Sequence, residues 1–295
     1  MPKPGTWGTL FVVALCSIAP SAEAGADADG WADIIRAERA RGNPLPRLSD
    51  LVPAFTLDEA YAVQHALVDV ERLARPIGGY KAGFTNPAGR ARFALNGPVS
   101  GVLFADGAYA DGARVALADY PGLVVEVEVG YVLRSPIRRS MKSLDDLATY
   151  IRDVVPVVEL PSVHYDQPER LSGVDIVATN IAAAAYVVGR PFTLARLGAV
   201  NDLTFTLARD GETVDEGLAR NAMGDQLGAL LWLVNHLYAA GWPLEAGHVL
   251  ITGTLGKMNP GRPGHYVVDY GGRGRLEFEL VGPPAAARPA QAQAK

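Results

Sequence analysis

Residues 123–132 read Leu-Val-Val-Glu-Val-Glu-Val-Gly-Tyr-Val, a β-branched run with glutamates at alternate positions. In a strand alternate side chains share a face, so Glu126 and Glu128 point the same way, with Cβ atoms about 7 Å apart. Val125, Val127, Val129 and Tyr131 take the other face. Two environments fit: a half-solvated strand with two surface carboxylates, or a strand buried on both sides. Val124 and Val132 bracket the acidic pair on its own face, which favours the second.

A further carboxylate stands alone in an apolar run at 154–161, Val-Val-Pro-Val-Val-Glu-Leu-Pro. A buried carboxylate must be neutralised or paired. Glu159 therefore needs either an Arg or Lys partner, or a cation shared with Glu126 and Glu128. Oxygen-only ligation suits Mg²⁺, Mn²⁺ or Ca²⁺, and a shell of three protein ligands leaves positions for water or substrate. The chain has one cysteine, Cys16, and no HExxH pattern, which argues against a zinc-peptidase site. In Gly78-Gly-Tyr-Lys-Ala-Gly-Phe-Thr-Asn86, glycines flank Lys81 and permit close backbone approach. Its ammonium is then either presented to an anionic substrate or left on a surface hairpin. Thr252-Gly-Thr-Leu-Gly-Lys257 is a substrate loop or a tight turn, and it lacks the P-loop spacing.

The 295 residues are 49% hydrophobic and 20% charged, enough for a sizeable core and unlike a disordered chain. Lys+Arg 27 against Asp+Glu 32, net −5 with no basic run, disfavours a nucleic-acid partner. Residues 1–24 have the form of a cleavable secretory leader: Lys3, an apolar stretch from Trp7 to Ala19, and Ala22-Glu23-Ala24 before Gly25. That stretch is short of the roughly 20 residues that span a membrane. The expected mature protein is periplasmic or secreted, not membrane-bound.

A helical N-terminal region is expected over 25–77. One helix covers 31–41 and stops at Gly42-Asn43-Pro44; another opens at Thr56 with Glu59 in capping-box spacing and carries a stripe of Ala60, Val63, Ala66, Leu67 and Val70. His65 beside that stripe reads as structural. From 78 to 283 short apolar runs broken by Gly and Pro predict a strand-rich domain: 99–104, 123–133, 154–160, 182–188, 203–208, 248–252, 265–270 and 275–281. Helices are expected at 143–154 and 223–240, the latter burying Leu227, Leu230, Leu231, Val234 and Leu237 and exposing His236. Residues 284–295 read as a disordered tail.

Taken together, GYKAGFTN (79–86), GVLFADG (101–107), EVEVGYVL (126–133), VVPVVEL (154–160), ATNIAAAAYVVG (178–189) and the segments at 223–264 resemble the fumarylacetoacetate hydrolase superfamily, in its 2-keto-4-pentenoate hydratase and 4-oxalocrotonate decarboxylase branch. The resemblance implies an α+β fold with a mixed, mainly antiparallel β-roll. It implies Mg²⁺ or Mn²⁺ on Glu126, Glu128 and Glu159, a catalytic Lys81, and substrate contacts from Phe84, Asn180 and Thr254. It also implies homo-oligomers, small 2-oxo acid substrates and the cytoplasmic setting of aromatic-compound catabolism. Two departures stand out: the branch's acid before the GxLF run corresponds to Val99, and its Asp-Asn-Ala-Ser is here Thr179-Asn180-Ile181-Ala182.

The expected activity is a metal-dependent hydratase, a lyase acting on a 2-oxo or 2-hydroxy-dienoic acid such as 2-hydroxypenta-2,4-dienoate. Without the branch's acid, water, His164 or Asp166 is left to move the second proton. The alternatives are acylpyruvate-type C–C hydrolysis, decarboxylation of a 2-oxo diacid, or a non-catalytic periplasmic oxo-acid binder.

Overall fold

Helix signals near the N-terminus act as written. The computed structural model describes residues 22–282, with side chains from residue 28 onward. The expected leader therefore lies outside the described residues except for the backbone of 22–24, as does the expected tail. Helix α1 (Ala22–Arg41) starts nine residues earlier than its apolar spacing suggests and stops at Gly42, whose φ of 71° ends the helix. After α2 (Leu48–Leu51), α3 (Leu57–Glu71) opens with the expected capping box: Glu59 N donates to Thr56 Oγ1 (3.2 Å) and Thr56 N to Glu59 Oε2 (2.8 Å). Its buried face is Ala60, Val63, Gln64, Leu67 and Val68, rotated from the expected stripe, and Val70 is 38% exposed. The rotation places Gln64 inside, where its Nε2 donates to the Ser100 and Val177 carbonyls.

The rest of the chain alternates strands with short helices: β1 (Ile77–Gly83), α4 (Pro87–Arg92), β2 (Val99–Phe104), β3 (Ala108–Ala110), β4 (Arg114–Ala116), β5 (Val124–Leu133), α5 (Leu144–Ala148) and β6 (Ile151–Leu160). Then come α6 (Gly173–Ala178), β7 (Ala185–Val188), β8 (Thr204–Arg209), β9 (Glu212–Leu218), α7 (Gln226–Ala239), β10 (Val249–Ile251), β11 (Asn259–Pro260), β12 (Gly264–Asp269) and β13 (Arg275–Val281). The larger sheet runs β2-β1-β10-β5-β6-β7-β3, with β11 pairing the start of β5; the smaller runs β4-β13-β12-β8-β9. Among the described strands only the pairs β1/β10, β3/β7 and β4/β13 are parallel, so the fold is the mixed, mainly antiparallel α+β arrangement expected.

Several boundaries differ from the sequence reading. The helix expected at 143–154 covers only Leu144–Ala148, because the β-branched run from Ile151 pairs with β5 along its length. Helix α7 buries Leu230, Val234 and Leu237 as expected, but Ala229 and Leu233 share that face, and Leu227 and Leu231 are only half-buried. His236 is half-buried rather than exposed, its ring stacked on Trp232 at 4.9 Å and tilted on Tyr61 at 5.5 Å. His65 stacks on Trp242 at 4.2 Å, a packing role. Strands β1, β3, β4, β9 and β11 fall where no strand was expected.

One apolar core lies around the sheets and α7, built from residues such as Val127, Val158, Leu207, Leu233 and Phe278. A second forms under α1–α3, where Ile35, Leu48 and Leu67 meet Val99, Val177 and Ile181. The helical region thus shares its core with the strand-rich one. No helix among the described residues is long and apolar enough to cross a membrane.

Candidate active site

The β5–β6 ladder sets the centre of the site. It pairs Glu126 with Glu159, and Glu128 with Val157. The three glutamates are 9%, 1% and 0% exposed in chain order for Glu126, Glu128 and Glu159, and each offers a carboxylate oxygen within 4.8 Å of the others'. Lys81, buried in β1, brings its Nζ onto Glu159 Oε1 and donates to the Ile181 carbonyl at 3.1 Å. The lysine partner left open for Glu159 therefore exists, and so does the carboxylate cluster.

Burial pushes all three carboxyls up: Glu126 to about 7, Glu128 well above the ordinary range, and Glu159 upward. Repulsion from Glu159 adds to the rise at Glu126 and Glu128, while Lys81 opposes it at all three. Three carboxylates and one ammonium leave two negative charges, the charge that one divalent cation cancels. Glu159 Oε2 is buried with no hydrogen-bond partner among the described residues; the nearby Glu128 carboxyl can donate to it only when protonated. The donor set, the charge and the orphaned oxygen fit a hard cation.

Main-chain groups fix the cluster. Gly253 N donates to Glu128 Oε2 at 2.7 Å. Gly253 has φ 101°, and a Cβ there would come within 2.2 Å of Thr85 Oγ1, so this turn requires glycine. From the smaller sheet's side, the Tyr270 hydroxyl reaches both the Glu128 carbonyl (2.7 Å) and the Val157 carbonyl (3.1 Å), tying the two ligand-bearing strands together. Sequence reasoning found none of these supports, because each depends on register or on a main-chain atom.

The cluster borders a cavity of about 560 Å³. Phe84 and Thr254 line it, as do Phe93, Leu171, Ile176 and Met258. Phe84 and Phe93 pack with centroids 5.0 Å apart, and the Arg92 guanidinium lies 5.2 Å from the Phe93 ring centre. Asn180 does not border the cavity: its Oδ1 accepts from Val102 N (2.7 Å) and its Nδ2 donates to Val102 O (2.9 Å). The amide expected to touch substrate is engaged with the β2 backbone in this arrangement.

Neither candidate for the second proton borders this cavity. Asp166 is exposed, and His164 lines a separate cavity with Arg39 and Arg75. Tyr165 between them does border it, and its hydroxyl pairs with Thr179 Oγ1. Val99 is fully buried among apolar side chains.

The architecture is that of an enzyme with a small-molecule cavity at a curled, mixed sheet. Residues 86–283 match the family described as Fumarylacetoacetate (FAA) hydrolase C-terminal, and the chain belongs to the fumarylacetoacetate hydrolase family. It is 31% identical over 225 residues to a 2-keto-4-pentenoate hydratase of Burkholderia vietnamiensis, covering 76% of this chain and 86% of that protein. It is 32% identical over 236 residues to 2-keto-4-pentenoate hydratase 1 of Dechloromonas aromatica, covering 77% and 86%. The solved 4-oxalocrotonate decarboxylase of Pseudomonas putida G7, complexed with magnesium and adipate, shares the fold with a TM-score of 0.80 at 24% identity over 87% of this chain and 98% of that one.

Proposed function

We propose that the protein is a metal-dependent hydratase acting on a small 2-hydroxy-dienoic or 2-oxo acid. The observation that carries this reading is the buried Glu126–Glu128–Glu159 cluster, with Lys81 built into it, at the edge of an apolar-walled cavity. The relatives named hydratases support the reaction class. Glu126, Glu128 and Glu159 would hold a Mg²⁺ or Mn²⁺ ion, which when bound would supply Lewis acidity toward a 2-oxo acid.

The chain's own groups do the rest. Lys81 has three N–H donors; Glu159 Oε1 and Ile181 O take two, leaving one for substrate. That group moves the proton that ketonises a 2-hydroxy-dienoate. The conjugated double bond of the resulting 2-oxo acid then accepts water at its far carbon, giving a 4-hydroxy-2-oxo acid with no other product. Phe84 and Phe93 wall off water from the tail, and Thr254 borders the same space.

A second reading, decarboxylation of a 2-oxo diacid, is favoured by Arg92, a cation that lines the cavity beside the Phe93 ring. Export through a leader ending at Ala24 belongs to the proposal through residues 1–24, and N-terminal sequencing of native protein tests it.

The decisive experiment is turnover of 2-hydroxypenta-2,4-dienoate, followed by loss of ultraviolet absorbance, with Mg²⁺ or Mn²⁺. The reading expects water addition that EDTA and Glu126→Gln abolish; undiminished turnover in both would remove it. Carbon dioxide release from a 2-oxo diacid, without hydration, would select the second reading.

A further inference from the structure

Asn180, Ile181 and Ala182 have φ of 60°, 42° and 56°, three consecutive non-glycine residues in the left-handed region. Such residues are costly where the Cβ is branched or simple, because it crowds the following carbonyl, and they persist only where the surroundings over-determine them. The surroundings here are unusually specific. Strand β2 is the end strand of the larger sheet, so Val102 has a free main-chain N–H and C=O on its outer side. The Asn180 amide satisfies both, acting as a one-residue strand. Arg39 Nη2 donates to the Thr179 carbonyl at 2.7 Å, fixing the turn from its other end. The Ile181 side chain lies over Gly101, where a Cβ would come within 2.4 Å of its Cγ1. With side chain and flanks pinned, the Ile181 carbonyl meets Lys81 Nζ at 3.1 Å.

We infer that Asn180 is a positioning residue for Lys81: by docking on Val102 it holds the left-handed turn that aims the Ile181 carbonyl at the lysine ammonium. This rests on the proposed role of Lys81. Glu159 alone would leave Nζ free to swing about one contact. The second acceptor, supplied by a strained main-chain turn, fixes two of its three N–H directions and hence the third.

Asn180→Gly separates this role from backbone preference, because glycine accepts φ near 60° as readily as asparagine yet cannot pair with Val102. Asn180→Asp keeps the acceptor for Val102 N and loses the donor to Val102 O. Both variants are made in the full chain, with folding checked by circular dichroism and melting temperature. The primary readout is the rate at which trinitrobenzenesulfonate labels Lys81, measured by peptide mass against the exposed Lys142 and Lys257 as internal standards. The expected result is a rise of about tenfold at Lys81 in folded Asn180→Gly, a smaller rise in Asn180→Asp, and no change at the other two lysines. For turnover, kcat falls about tenfold with KM within a factor of two. Folded Asn180→Gly with Lys81 labelling at the wild-type rate overturns the inference, whatever the protein's reaction. A wild-type chain inactive on every 2-oxo acid, with the labelling difference intact, overturns the proposed function and leaves Asn180 holding Lys81.

Discussion

Glu126 and Glu159 are direct partners across the β5–β6 ladder, so the sheet sets two carboxylates opposite each other in its interior. Opposed like charges destabilise a sheet pair by up to about 1 kcal/mol, and burial raises the cost.

A divalent cation bound at the proposed site should therefore stabilise the fold. At a hundred-fold excess over Kd it adds about 2.7 kcal/mol, which for a chain of this size raises Tm by roughly 5–10 °C. Glu126→Gln removes one of the repelling charges and one oxygen ligand. Metal-free Glu126→Gln should melt above metal-free wild type, with the order reversed in Mg²⁺. Thermal scans with and without EDTA check both halves.

Lys81→Met should separate binding from turnover. Removing the ammonium strips Glu159 of its ion-pair partner and costs the metal-free protein about 3–5 kcal/mol. It also removes a positive charge from the cation's surroundings, so calorimetry should find tighter Mg²⁺ binding. Turnover should fall roughly 10²- to 10⁴-fold, the range for loss of a proton-transferring group.

Acid should weaken the helix α3–α7 contact. Burial lowers the His65 pKa against an opposing pull from Asp69; burial and, secondarily, His65 lower that of His236. His248 is also lowered by burial, with Glu245 opposing. Depressed folded values mean that the unfolded chain binds more protons, so this stability is complete above about pH 6.5 and is lost as pH falls through the folded values. Between pH 7.5 and 5, the Tm of wild type should lose ground to that of a His65→Gln/His236→Gln double variant; the comparison isolates the histidines from Glu126, Glu128 and Glu159, whose raised carboxyls take up protons in the folded state and act in the opposite direction.

Arg92 should discriminate between substrate tails. A charge-assisted hydrogen bond is worth about 1.5–3 kcal/mol, so Arg92→Ala should raise KM for a 2-oxo diacid by about tenfold or more. KM for a substrate with a neutral tail should stay within twofold. Equal effects on both substrates would remove Arg92 from the specificity argument.

Ala182→Gly should stabilise the protein, since alanine at φ 56° bears a Cβ clash that glycine lacks. A gain near 1 kcal/mol corresponds to a Tm increase of roughly 2–4 °C, readable by calorimetry.

Much of this architecture was legible from local patterns. Strand β5 announced itself by alternation, α3 by its capping box, and the end of α7 by Gly241 and Pro243. Strand β1 did not, because its glycines lower strand propensity while serving its packing: a Cβ on Gly79 would come within 1.9 Å of the Val249 carbonyl of β10. Strand β9 was signalled by Asp210-Gly211, both at positive φ in a hairpin turn, a cue the apolar runs concealed. The carboxylates and Lys81 could be named as candidates from residue type, but the pairing of Glu126 with Glu159 required the register. The left-handed run at 180–182 contains no glycine, and only Asn180, a residue that tolerates positive φ, hints at the turn.

The Tyr270 hydroxyl has a consequence for how this enzyme can diversify. It secures the carboxylate-bearing ribbon from the side away from the cavity, where the smaller sheet packs. Phe84, Phe93, Leu171 and Met258, on the facing side, sit in loops or next to short helices and bear none of that anchoring. Mutation can therefore recut the substrate-facing wall without loosening the chemistry beneath it, while loss of a single hydroxyl on the far side disturbs the chemistry without touching any substrate.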